Sequence, residues 1–119
     1  MNNYKSTVCN VLFFCTLTLP AAVTGAEIEI PEKYLNSITY NLKDPDSAKF
    51  RNVIADEENT VFCGEINAKN SYGAYSGYNK FYAIPQNDGS VASEIISVDQ
   101  IDYGMAMIMY NGFCKDLVK

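Results

Sequence analysis

Cys63, Cys114, the carboxylates Glu65, Asp88, Glu94, Asp99 and Asp102, and the tyrosines Tyr72, Tyr75, Tyr78 and Tyr82 are the side chains whose types and spacing could do chemistry. Histidine is absent. That absence removes Ser-His-Asp and Cys-His catalysis, most general acid-base designs and the usual zinc shell. Paired acids of the glycosidase kind, about 5 to 9.5 Å apart, remain conceivable, but nothing in the spacing selects a pair. The sequence therefore reads as a non-enzyme. The turn Asn87-Asp88-Gly89 lacks the alternating oxygen ligands and terminal Glu of an EF-type calcium loop. Nor do the glycines fall in a strand-to-helix phosphate cradle. No metal or cofactor is expected.

What the cysteines do depends on compartment, and the N-terminus speaks to that. Lys5 precedes an uncharged apolar run from Val8 to Leu19, followed by Pro20 and the small residues of Ala21–Ala26. This is signal-peptide anatomy, with cleavage expected after Ala26. The run is shorter than the roughly 20 residues that span a bilayer, so no membrane insertion is expected after cleavage. A retained anchor and a lipoprotein are the competing readings, the latter opposed by the bulky Phe14 before Cys15. Residues 27–119 then form a single exported domain, periplasmic or secreted. Cys9 and Cys15 leave with residues 1–26, and Cys63 and Cys114 become an even pair in an oxidising compartment. A disulfide between them is expected, against a metal site or a catalytic thiol. Closing a loop of about 50 residues stabilises a fold by roughly 3 to 4.5 kcal/mol on a chain-entropy account.

Charge narrows the partners. Nine Lys and Arg face fourteen Asp and Glu, a net charge of −5, and the leader removes only Lys5. Basic residues scattered singly among acids do not suit nucleic acid or an anionic membrane surface. A basic protein partner is compatible with this charge, and so is simple solubility.

The densest segment is Cys63 to Tyr82, CGEINAKNSYGAYSGYNKFY, which reads as one hairpin. Tyr72, Tyr75, Tyr78 and Tyr82 offer rigid amphipathic rings, and Asn67, Asn70, Ser71 and Ser76 add polar groups beside them. Asn70, Tyr72, Tyr75, Tyr78 and Tyr82 are the candidate binding residues. The alternative is structural: hairpin aromatics often pack across strands, glycines often serve bends, and Lys69 and Lys80 would be solvated charges. Arg51 either pairs with Glu65 on a neighbouring strand or faces water.

Around this segment the elements fall into a simple order. Pro31 and Glu32 suit a helix start, and Tyr34, Leu35, Ile38 and Leu42 gather on one helical face, predicting a helix over Pro31–Leu42. At Asp44-Pro45-Asp46-Ser47 a kink and a short helical turn capped by Asp44 are expected. Strands are predicted at Phe50–Ala55, Thr60–Ala68, Tyr78–Ile84 and Val91–Val98. In the second strand Phe62, Gly64, Ile66 and Ala68 share one face, and Val61, Cys63, Glu65 and Asn67 the other. Gly104–Tyr110 reads as a buried strand or a Met-rich helix; the helix, starting near Val98 or Asp99, is the expectation. The result is an α+β fold: an N-terminal helix on one face of a small antiparallel β-meander, with a C-terminal helical element tied by one disulfide and the other face or an edge left open.

Two segments, LKDPDSAKFRNV from Leu42 to Val53 and the Cys63–Tyr82 hairpin, carry a resemblance. With their DPxSAxFRN-like and CGxxNxKNxxGxYxGxxxF-like patterns, the chain resembles a family of small, mostly uncharacterised exported bacterial and prophage proteins. The resemblance implies a bacterial envelope protein and carries no catalytic residue. Two functional expectations follow from the hairpin. The first is a small periplasmic interaction protein, an inhibitor, immunity-type factor or prophage accessory factor, whose acidic surface and tyrosine hairpin contact a protein partner. The alternative is a module that binds cell-envelope glycan or peptidoglycan.

Overall fold

The computed structural model describes residues 28–117. The expected leader, residues 1–26, lies outside the described residues, as do its two cysteines. The first described helix, α1, spans Glu32–Thr39. Pro31 starts it, its carbonyl accepting from Tyr34 N and Leu35 N at 2.9 and 3.0 Å. The helix ends three residues before the expected Leu42, where the Thr39 hydroxyl bonds back to the Leu35 carbonyl at 2.8 Å. Such back-bonding competes with the helical ladder. After it, Pro45–Ser47 forms a single 3₁₀ turn. The side-chain cap expected of Asp44 does not form; its carbonyl instead accepts from Ser47 N and Ser47 Oγ.

Strands β1 (Lys49–Ala55), β2 (Phe62–Asn67), β3 (Asn79–Pro85) and β4 (Val91–Ile96) form an antiparallel meander in the order β1-β2-β3-β4. Each connection has its own chemistry. Between β1 and β2, the Asp56 carboxylate accepts from Thr60 N at 2.6 Å, Val61 N at 3.0 Å and Thr60 Oγ1 at 2.6 Å. Burial pushes the Asp56 carboxyl up, but these hydrogen bonds outweigh it and hold the group below its ordinary range. Between β3 and β4, Asp88 Oδ1 takes Ser90 N and Ser90 Oγ while Gly89 adopts φ 90°. The loop from β2 to β3 is longer and is described below.

Pairing sets the two faces of the sheet. Phe62 lies opposite Ala83, Gly64 opposite Phe81 and Phe50 opposite Ile66, so these side chains share one face. Helix α1 covers it. Tyr34 meets Phe62 edge-on at 4.9 Å between centroids, and Phe50 meets Phe81 at 5.5 Å. Such pairs add about 0.5 to 1.5 kcal/mol to the burial of the rings themselves. Gly64 has a reason to be glycine: an added Cβ would sit 3.0 Å from Phe81 Cε1, 3.1 Å from Val53 Cα and 3.3 Å from the Arg51 carbonyl oxygen.

The second face carries Cys63, Tyr82 and Ile96, and helix α2 (Tyr103–Cys114) packs there through Ala106, Met107, Tyr110, Phe113 and Cys114. Cys114 closes a disulfide with Cys63, Cα to Cα 6.0 Å, over a sequence separation of 51. Gly104–Tyr110 is thus helical, and the helix begins later than expected. Residues 97–102 form a tight turn instead, in which Gln100 Oε1 accepts from Ser97 N at 2.6 Å and Ser97 Oγ donates to Asp99. The expected open face is corrected here: each face of the sheet carries a helix. No helix among the described residues is long and apolar enough to cross a membrane.

Candidate functional site

Residues 68–78 join β2 to β3, and polar side chains rather than packing give this loop its shape. Asn70 Oδ1 accepts from Tyr72 N at 2.9 Å and Ala74 N at 3.2 Å, while Asn70 N reaches the Ala74 carbonyl at 2.9 Å. The result is an Asx-type turn with Gly73 at φ 79°. Lys69 and Tyr75 pair as an isolated antiparallel bridge at its base. Gly77, at φ 113°, donates to Asn67 Oδ1 at 3.1 Å. Ser47 fastens the loop from outside: its Oγ accepts from Lys69 N at 2.8 Å, and its carbonyl accepts from the Tyr75 hydroxyl at 2.8 Å. The two segments that carry the sequence resemblance therefore meet at Ser47.

The five candidate binding residues divide between surface and core. Tyr72 stands at the loop tip with 94% of its surface exposed. Asn70 spends its side-chain oxygen on the turn. Tyr75 is exposed at its margin, with Lys49 Nζ 4.5 Å and Lys69 Nζ 5.9 Å from the ring centroid. Tyr78 is half-buried beneath Arg51, whose guanidinium carbon lies 3.8 Å from its centroid. Tyr82 is the correction. Register places it opposite Cys63 on the face beneath α2, 7% exposed and 5.3 Å from the Phe113 ring. Its hydroxyl donates to Glu94 Oε1 at 2.9 Å. Burial first, then Glu94, pushes its pKa up to about 12.

Sequence reasoning missed the cations that join the tyrosines. Lys49 and Arg51 alternate on one face of β1, and Lys80 lies opposite Glu65 on β3, with its Nζ 5.3 Å from the Tyr110 ring. Alternation along β1 was the available signal. Glu65 sits among them, accepting from Arg51 Nε at 2.7 Å and from Asn52 Nδ2 at 2.9 Å. Those hydrogen bonds hold its carboxyl below the ordinary range. Asn52 reaches it because β1 changes register between Arg51 and Ile54, placing Asn52 at φ 55°. Asparagine is among the few residues that tolerate this left-handed geometry. Arg51–Glu65 is the one salt bridge among the described residues. Arg51 and Lys80 thus flank Glu65, and Lys49 and Lys69 flank Tyr75, on a chain whose net charge is −5.

The remaining candidate acids hold local structure. Asp88 and Asp99 close turns through Ser90 and Ser97. Glu94 and Asp102 approach each other, but the Gln100 amide lies between them, donating to both at 3.1 and 2.7 Å. Among the described residues, no three His, Cys, Asp or Glu side chains gather as metal ligands. Comparisons with protein-family models, with curated proteins and with solved structures gave no match to this chain.

Proposed function

We propose that this chain is a small exported, non-enzymatic interaction protein, an inhibitor, immunity-type or prophage accessory factor of the periplasm or cell exterior, that contacts a protein partner through residues 68–78. One observation carries the reading: Tyr72, 94% exposed, projects from a loop whose backbone is fixed by Asn67, Asn70 and Ser47. A ring presented on a pre-shaped loop loses little entropy on contact, which is how aromatic anchors favour binding. The cations at Tyr75 and Tyr78 suit an acidic rim on the partner, in place of the basic partner compatible with net charge, and the acidic remainder of the protein disfavours other docking poses. A glycan platform is the weaker reading. It needs free ring faces, whereas Tyr75 and Tyr78 each have a cation over the ring. Export is supported by the Lys5 and Val8–Leu19 pattern and by the Cys63–Cys114 bond.

The test is capture from envelope extract with the oxidised protein and two variants. Tyr72→Ala should abolish capture and Lys69→Glu should weaken it at low salt, both with unchanged melting temperature. Equal capture by all three proteins would overturn the reading. Recovery of glycan in place of protein would favour the alternative. Mass spectrometry of the exported protein should find Glu27 at its N-terminus.

A further inference from the structure

Helix α2 carries more apolar surface than the fold uses. Its twelve residues include no charge, and its inward side chains are those that meet the sheet. On the outward side, Met105, Ile108 and Met109 are 61%, 63% and 40% exposed, and Ile101, in the turn before the helix, is fully exposed. Gly112 continues the same stripe at helical spacing. The exposed apolar side chains of Ile101, Met105, Ile108 and Met109 amount to on the order of 500 Å², within the ~300 to 600 Å² of the largest patch on a typical monomer, which is often functional. A helix that is apolar all round belongs in an interior.

We infer that this face is a homodimer interface, in which two copies pair their α2 helices antiparallel about a two-fold axis near Ile108 and Met109. Three features favour a second copy as the occupant. Two such patches bring on the order of 1,000 Å² together, about the least that a specific interface needs and in keeping with a weak dimer. The stripe is self-complementary: an axis between Ile108 and Met109 sets each Met105 over the partner's Gly112, a long side chain against the residue with none. A Cβ added at Gly112 would meet nothing within 4 Å, so packing inside the protein gives no reason for glycine there. Finally, an uncharged helix lets two acidic molecules meet without setting like charges at the centre of the contact. The dimer face is separate from residues 68–78 and does not depend on the function proposed for them.

Sedimentation velocity of the oxidised chain over a concentration series tests the inference. The wild type should show a monomer–dimer equilibrium in the micromolar range, about −8 kcal/mol at 1 μM. Ile108→Glu and Gly112→Leu should each weaken it at least about tenfold. Gly112→Leu guards against misfolding, because its side chain enters open space and leucine is the better helix former. Tyr72→Ala should leave the dimer intact, and Gly112→Leu should leave partner capture by residues 68–78 intact. A wild type monomeric at about 200 μM, or a Gly112→Leu variant that dimerises as the wild type does, would overturn the dimer. So would a monomer that sediments with phosphatidylglycerol vesicles, which would assign the stripe to a membrane surface.

Discussion

The two faces of the sheet are covered by helices of opposite design. Helix α1 is amphipathic: Tyr34 and Ile38 enter the core, and its polar groups fasten to the sheet at the margins. Tyr34 donates to the Thr60 carbonyl at 2.7 Å, and Ser37 Oγ reaches the Val91 carbonyl and Ser93 Oγ. Helix α2 buries only Ala106 and Cys114 fully, carries apolar groups on both sides and is joined to β2 by a covalent bond. The first layer is held by both packing and polar fastening. The second is secured at one end and leaves apolar and cationic groups that the fold does not consume, which is the ground for both proposed contacts.

The largest expected effects test whether the layers differ in what holds them. Phe81→Ala removes a fully buried ring beneath α1 and should destabilise the whole domain by about 3 to 5 kcal/mol, in one cooperative transition. Replacing Cys63 and Cys114 together by alanine should cost a comparable amount, about 4 kcal/mol on the chain-entropy account. Its signature should differ. Hydrogen exchange should show α2 losing protection ahead of the sheet amides, because the bond anchors that helix. If α2 and the sheet exchange together in the cysteine variant, the contrast between the layers fails.

A smaller effect appears in alkali, where burial raises the pKa of Tyr34 in the first layer as well as that of Tyr82, and the Tyr82→Phe variant picks out the share of the second layer. Tyr82 has a folded pKa of about 12, above the ordinary value of 10.0. A raised phenol pKa means the folded state favours the neutral ring, so its contribution is fully present below about pH 10 and is lost as pH rises toward 12. That contribution is about 2 to 3 kcal/mol. Denaturant midpoints measured across this window should fall for the wild type and fall less for Tyr82→Phe. Equal slopes would remove Tyr82 from the account of that face.

Much of the meander was legible because its signals are local. Asp56 through Asn59 and Pro85 through Ser90 supply turn chemistry within a few residues, and the alternation of Phe62, Gly64 and Ile66 names the face they share. Tyr82 is misplaced by sequence because Tyr78, Lys80 and Tyr82 alternate onto one face, and nothing local says that α2 covers that face at Tyr82. Helix α2 gives no phase to read, since Met105, Met107, Ile108 and Met109 are apolar in every direction. The cationic setting of the loop was least legible. Lys49 and Arg51 reach it from another strand, and Asn52 depends on a change of register that no periodicity announces.

The smallest effect concerns Glu65, and it bears on stability and binding with opposite sign. Its carboxyl is held below its ordinary range by hydrogen bonds from Arg51 and Asn52. A depressed carboxyl pKa contributes stability above the unfolded value near about 4.3, and that contribution is lost as pH falls through the folded value. Because the Arg51 side chain is 53% exposed and that of Glu65 24%, solvent screens the pair, and Glu65→Gln should cost less than about 1 kcal/mol at neutral pH. The difference from the wild type should vanish once pH falls below the folded value, where both side chains are uncharged. The same substitution removes the carboxylate that offsets Arg51 and Lys80. If those cations face an acidic partner, Glu65→Gln should therefore strengthen capture while slightly weakening the fold. A variant that lost both would show that Glu65 shapes the site through its geometry rather than its charge.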